Sequence, residues 1–236
     1  MNIGASLGKP FSNIKNLVIG IVLMIIPIVN ILTIPGYMLR VAKKTMSGDN
    51  SLPGFGNFGE LVVDSIKAIV VGIVYGIIIT IVLFILMLIP YGIGAVLGFI
   101  WYIVAIFMLL SAMMTLARTG SIGAALGVPS VLKRVANGGF IASVIVGAII
   151  ADIIAAIVMV IVILIFAASM LPVFLSGTIP DAAALMGMIS GLGIGMVIML
   201  VVAYILVVFF YSLVAGSYPD GAAPARAAKA ASGKMA

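Results

Sequence analysis

The sequence predicts an all-α polytopic transmembrane helix bundle of about five spans, with a short interfacial amphipathic helix and a disordered C-terminal tail. Of the 236 residues, 65% are hydrophobic and 8% are charged, whereas about a quarter of the residues are charged in a soluble domain. The charges lie in short clusters that separate long charge-free runs. Runs of about 20 apolar residues or more are long enough to cross the hydrocarbon core of a bilayer.

The first apolar run, residues 17–39, is predicted to cross the membrane as a straight or kinked helix. Pro27 and Asn30 could instead break it into a re-entrant pair of half-helices, because non-helical backbone is allowed at membrane depth where protein or water satisfies it. A crossing puts the N-terminus outside. A re-entrant pair brings Lys9 and Lys15 to the side of the other cations.

The later spans are separated by clear turn and charge signals. No charge occurs between Lys67 and Arg118, and this stretch has room for two spans divided by a turn at Pro90 to Gly92. The four spans are predicted at 62–89, 91–116, 140–169 and 185–214. Together with the first run they form a transmembrane domain over residues 1–215.

Two further segments lie outside the spans. Pro129 is a good first residue for a helix in which Val131 and Val135 face away from Lys133 and Arg134, so we predict a short helix on the membrane surface. Residues 216–236 are rich in Ala, Gly, Lys and Arg. We predict that this basic tail is disordered, because it has too little apolar surface to offset its ordering entropy.

The basic residues predict orientation and a lipid partner. With five crossings, every Lys and Arg except Lys9 and Lys15 falls on the side of the C-terminus, and the positive-inside rule makes that side cytoplasmic. The cations flank apolar runs and do not form one soluble face, which favours lipid headgroups over nucleic acid as the partner. The expected headgroup contacts are Arg40, Lys43, Lys44, Arg118, Lys133 and Arg134.

Glycines at every fourth position predict close helix packing. Such ridges let helix backbones approach each other in lipid, where no hydrophobic force acts between helices. We expect most of them to pack within one chain, although the long ridge in the fifth span could also join a homo-oligomer. The glycines concerned are Gly72, Gly76, Gly94, Gly98, Gly147, Gly187, Gly191 and Gly195.

Asp152 is the single acid near the middle of a predicted span. It follows Phe140 by twelve residues, which is about 18 Å of helix and close to the bilayer centre. A charge there costs from about 2.5 to more than 10 kcal/mol, so the carboxyl must be protonated, paired or hydrated. Structural hydrogen bonding and an ion or proton pathway are both compatible with this position. We expect no cation at the same depth, which favours a neutral acid.

The chain has neither cysteine nor histidine, which excludes disulfides, the usual zinc sites and the usual catalytic triads. The Gly-rich stretches lack the Lys-Ser/Thr ending of a phosphate-binding loop. We therefore expect no enzyme, no cofactor and no metal site, and we identify no small-molecule substrate. The leading hypothesis is a non-enzymatic membrane scaffold or assembly component. The alternative is a transporter or channel subunit for a small ion or solute with Asp152 in the pathway.

One stretch of the chain resembles a known family. Its elements are a Gly-Tyr-Met-Leu-Arg exit from the first run at 36–40, Leu-Pro-Gly-Phe at 52–55, Phe-Gly at 58–59 and Asp-Ser-Ile-Lys at 64–67. This pattern resembles the mainly archaeal multi-pass membrane family called domain of unknown function 4013, where Phe58 stands in a position often held by Trp and Ser65 in one often held by Gly. The resemblance extends over about residues 15–215. It implies a prokaryotic plasma membrane and no particular activity.

Overall fold

The computed structural model describes residues 2–90, 92–176 and 181–218. Its helices are α1 (Ile3–Gly8), α2 (Ile14–Ile25), α3 (Pro27–Met46), α4 (Phe58–Met87), α5 (Ile93–Thr119), α6 (Ile122–Ala125), α7 (Val128–Val135), α8 (Gly138–Ser176) and α9 (Ala182–Gly216), with a 3-10 turn at Lys9–Ser12. Nearly all of the predicted disordered tail lies outside the described residues.

The all-α prediction is confirmed. Among the described residues there is no strand, and four helices are long and apolar enough to cross a membrane: α4, α5, α9 and the Gly138–Leu171 part of α8. Helices α8 and α9 contain the fourth and fifth predicted spans, and α4 and α5 overlap most of the second and third. The 39 residues of α8 and 35 of α9 correspond to about 58 and 52 Å of helix. Both exceed the roughly 30 Å hydrocarbon thickness, so these two helices tilt or project beyond it.

The first apolar run differs from its preferred prediction. It is not one helix over 17–39 but two, α2 and α3, separated at Ile26, whose backbone is extended (φ −90°, ψ 107°). Pro27 is the first residue of α3, a position where its missing N–H breaks no helical hydrogen bond. The Asn30 side chain donates to the carbonyl of Met24 over 3.1 Å, so it satisfies one of the carbonyls that the break leaves free.

The N-terminal end of α2 and the C-terminal end of α3 lie together. The Lys9 ammonium, just before α2, donates to Thr45 Oγ1 near the end of α3 and to the carbonyl of Asp49 over 3.0 Å. Ser12 Oγ accepts the N–H of Leu52 over 2.8 Å. The two helices therefore form a hairpin, as the re-entrant alternative requires. From Arg40 to Pro27 the hairpin is about 20 Å deep, roughly two thirds of the hydrocarbon core.

This hairpin changes the predicted sidedness of the N-terminus. Because α2 and α3 return to the end of the bundle from which they start, Lys9 and Lys15 lie with Arg40, Lys67 and Arg118. We call this end the basic side. It carries all nine Lys and Arg residues of the described ranges, which are the twelve of the chain less the three in the tail. The prediction that Lys9 and Lys15 lie opposite the other cations is therefore not supported.

Helices α3 and α9 form the centre of the bundle. Helix α3 packs against α2, α4, α5 and α9, and α9 packs in addition against α1 and α2. Helix α8 packs along α9 and touches α7, and no residue in the most apolar part of its Gly138–Leu171 segment is buried. The predicted surface helix is α7, but its Val131 is fully buried in the core near the basic side. Its apolar face therefore contacts protein.

Candidate functional site

The residues that carry the family resemblance meet at the basic side, around Arg40. Its guanidinium donates to the carbonyls of Gly56 and Asn57 over 2.8 and 3.2 Å. It also lies 3.8 Å from a carboxylate oxygen of Glu60 and 3.7 Å from one of Asp64. A planar guanidinium can serve several acceptors at once. Arg40 thus ties the end of α3 to the connection before α4 and to the first turns of α4.

Gly36 and Tyr37 hold the same connection one turn deeper. The Gly36 N–H donates to Ser65 Oγ over 2.8 Å, and Tyr37 O–H donates to the carbonyl of Pro53 over 3.0 Å. The Tyr37 ring stacks on Phe55 with ring centroids 4.1 Å apart. A Cβ atom on Gly36 would lie 2.3 Å from the Leu61 carbonyl oxygen. The absence of a side chain at position 36 is therefore what allows α3 and α4 to touch.

A cleft opens beside this cluster, between α3, α4 and α5. Its lining combines charged and apolar side chains: Leu39, Arg40, Lys43, Asp64, Lys67 and Leu116. The ammonium of Lys67 lies 3.9 Å from the nearest Asp64 oxygen. Lys43 is exposed and has no hydrogen bond or ion pair within the described ranges.

The other predicted headgroup contacts have different surroundings. Lys44 pairs with Asp49 at 3.1 Å and donates to Ser51. Arg134 points into the bundle, where it donates to Thr115 Oγ1 over 3.2 Å and lies over the ring of Tyr218. Arg118 is in the last turn of α5, and Lys133 is exposed on α7.

Two ionisable groups, Lys9 before α2 and Asp49 after α3, have shifted pKa values. Burial lowers the pKa of Lys9 to about 8, although the nearby Asp49 carboxylate acts in the opposite direction. The Ser51 N–H and the Lys44 side chain, which both bond to the Asp49 carboxylate, lower the pKa of Asp49 to about 2. The Asp49 carboxylate thus bonds both to the backbone of the turn and to the end of α3.

Asp152 lies on the exposed surface of α8. Within the described ranges its carboxyl has no hydrogen-bond or ion-pair partner, and it faces none of the other spans. Its neighbours along the same face, Ile149 and Ile153, are 53% and 55% exposed. An acid at this depth on a lipid-facing surface bears the desolvation cost alone unless another molecule covers it.

The predicted glycine ridges differ in how closely they are packed. A Cβ on Gly191 would lie 2.6 Å from Ser169 Oγ, one on Gly195 2.8 Å from Val162, and one on Gly147 3.1 Å from Leu213 and Phe210, so these three lie in the contact between α8 and α9. Gly94 and Gly98 lie in the contact between α4 and α5, and Gly72 has a looser contact with Met113 at 3.7 Å. Gly76 and Gly187 have open space where a side chain would be.

Sequence reasoning missed a close contact between the hairpin and α9. A Cβ on Gly20 would lie 2.0 Å from the hydroxyl oxygen of Tyr204, which is fully buried in α9. That hydroxyl has no hydrogen-bond partner within the described ranges. Gly20 belongs to no ridge of small residues spaced four apart, so no pattern in the sequence marks it. The sequence marks Gly36 only as part of the family pattern.

The comparisons with known proteins identify a family and no activity. The family model described as a protein of unknown function, DUF4013, matches residues 19–167, more than half of the chain. No curated protein and no solved structure matches it. The matched range includes most of the hairpin, the Arg40 cluster, the cleft and Asp152. The chain therefore belongs to the DUF4013 family.

Proposed function

We propose that this protein is a non-enzymatic assembly component of the membrane that associates with a second copy of itself through the exposed face of α8. The observation that carries the proposal is the position of Asp152. Its carboxyl is at mid-span on an otherwise apolar face, and nothing in the described part of the chain covers it.

A second copy satisfies this carboxyl without a cation. In an isologous dimer the same patch meets itself, so Asp152 of one copy can lie beside Asp152 of the other. A protonated carboxyl of one copy can donate a hydrogen bond to the carboxyl of the other. Among the described residues no Lys or Arg lies at this depth, since all nine of them are on the basic side.

The glycine ridge is a less suitable dimer surface than the sequence indicates. Gly147, Gly191 and Gly195 lie in the contact between α8 and α9 of one chain, so they are not available to a second copy. Asp152 follows Gly147 by five residues, which places it about 140° away around the helix at 100° per residue. We therefore assign self-association to the face of α8 that carries Ile149, Asp152 and Ile153.

Orientation is part of this proposal. The hairpin and four spans put both described ends of the chain on the basic side. By the positive-inside rule that side faces the cytoplasm, and the C-terminus is cytoplasmic. The family resemblance supports a location in the plasma membrane of an archaeon.

Disulfide cross-linking tests the dimer directly, because the natural chain has no cysteine. We expect Ile153→Cys to give a cross-linked dimer on mild oxidation in membranes at low protein-to-lipid ratio. The matched control is Ile81→Cys on α4, which is 53% exposed against 55% for Ile153 and should stay monomeric. Equal cross-linking at both positions would show only random collision.

Replacement of Asp152 distinguishes the assembly role from the alternative role in transport. In the Ile153→Cys background, Asp152→Leu should abolish the cross-link. Asp152→Asn should keep it, because an amide both donates and accepts hydrogen bonds. A transporter or channel subunit predicts instead a pH-dependent ion flux in reconstituted vesicles that Asp152→Asn eliminates. Such a flux, or a cross-link that survives Asp152→Leu, would contradict the assembly proposal.

A further inference from the structure

The cleft between α3, α4 and α5 has an excess of positive charge. Arg40, Lys43 and Lys67 line it together with one acid, Asp64, so the lining carries two net positive charges. Arg40 is already engaged by two carbonyls and two carboxylates. The cations that could serve a ligand are therefore Lys43, which has no partner in the described ranges, and Lys67, whose 3.9 Å approach to Asp64 is long for an ion pair.

The cleft also lies at the level where the apolar part of the bundle ends. The charge-free runs of α3, α4 and α5 are bounded by Arg40, Lys67 and Arg118 respectively, and residues next to all three boundaries line this one cleft. Leu39 and Leu116 form its apolar wall, but they are 5% and 1% exposed, so they offer a ligand little surface. The cleft is therefore a basic site at the boundary of the apolar spans.

We propose that this cleft binds the phosphate group of an anionic lipid, with Lys43 and Lys67 as the phosphate ligands. Basic pockets between transmembrane helices are suited to lipid phosphates because they combine fixed positive charge with access from the membrane. Lysine acts toward phosphate as a point charge that can adjust its position. The position of the cleft at the boundary of the apolar spans favours a lipid over free phosphate as the source of that group. This inference does not depend on the α8 dimer.

Thermal unfolding in a neutral detergent tests the site. We expect short-chain phosphatidylglycerol to raise the unfolding midpoint of the natural protein, and short-chain phosphatidylcholine, which has no net charge, to leave it unchanged. Lys43→Gln should raise the half-saturating lipid concentration roughly fivefold, the equivalent of about 1 kcal/mol for one lysine near a lipid phosphate. This variant loses no hydrogen bond or ion pair within the described ranges, so it should fold normally.

The double variant Lys43→Gln/Lys67→Gln should lose most of the stabilisation. Its matched control is Lys15→Gln/Lys133→Gln, which removes the same charge from two exposed positions outside the cleft and should keep it. Inorganic phosphate is tested alongside. If it stabilises as strongly as the lipid and equally requires Lys43, the ligand is a soluble phosphate and the lipid assignment is wrong. Loss of the effect in both double variants, or no effect of phosphatidylglycerol, would overturn the site itself.

Discussion

Gly36→Ala is expected to lower the unfolding midpoint in detergent by about 4 to 16 °C. The added Cβ would lie 2.3 Å from the Leu61 carbonyl oxygen and 2.7 Å from Ser65 Oγ, and the nearest obstacle is backbone that cannot rotate away. Overpacking of this kind costs about 1 to 3 kcal/mol. Loss of the hydrogen bond from Gly36 to Ser65 adds about 1 kcal/mol. For a chain of this length each kcal/mol shifts the midpoint by about 2 to 4 °C.

The matched control for this prediction is Gly76→Ala in α4. Gly76 also lies inside a long helix, but nothing lies within 4 Å of its added Cβ. Removal of a helical glycine where there is room stabilises by up to about 1 kcal/mol, so this variant should match or exceed the natural protein. Similar midpoints for the two variants would show that α3 and α4 are not in contact at Gly36.

Arg40→Met is expected to destabilise the protein by about 2 to 4 kcal/mol. The change removes two charge-assisted hydrogen bonds, each worth about 1.5 to 3 kcal/mol, and leaves Asp64 without its guanidinium. The Arg40 side chain is 18% exposed, but Gly56, Asn57 and Glu60 are exposed, so water compensates part of this loss and the net cost lies below the sum of the two bonds. Arg40→Lys should recover less than half of the loss, because an ammonium cannot reach both carbonyls and both carboxylates.

Lys44→Met is the control for Arg40, since it removes a cation from the same helix and the same side. The Lys44 and Asp49 side chains are 33% and 47% exposed, and an exposed pair contributes less than about 1 kcal/mol. Thermal midpoints and the rate of protease cleavage within residues 47–57 give two independent measurements. Equal effects of Arg40→Met and Lys44→Met would show that Arg40 does not hold α3 to the connection before α4.

The four long spans could be predicted from sequence because bilayer thickness sets a minimum apolar length. The second predicted span, 62–89, matches α4 to within a few residues at each end. The hairpin could not be chosen in advance, since Pro27 is compatible with a kink or a break. The decision depends on contacts distant in sequence, such as that of Lys9 with Thr45.

The candidate sites could likewise be predicted only in part. The depth of Asp152 follows from its position in the span, but its direction does not, because α8 is apolar all round and periodicity marks no buried face. The family pattern located Arg40 and Asp64 without showing that they touch. The cleft itself needs three helix ends that are far apart in the chain, and only the folded bundle brings them together.

Thiol labelling of single-cysteine variants tests whether α2 and α3 form a hairpin that returns to the basic side. Asn2 and Lys133 are exposed near the basic side, and Leu88 is 69% exposed in the turn between α4 and α5 at the opposite end. In sealed vesicles of known orientation, a membrane-impermeant reagent should label Asn2→Cys and Lys133→Cys from the same face, and Leu88→Cys from the other. Labelling of Asn2→Cys together with Leu88→Cys would show that residues 17–39 cross the membrane, and would contradict the hairpin.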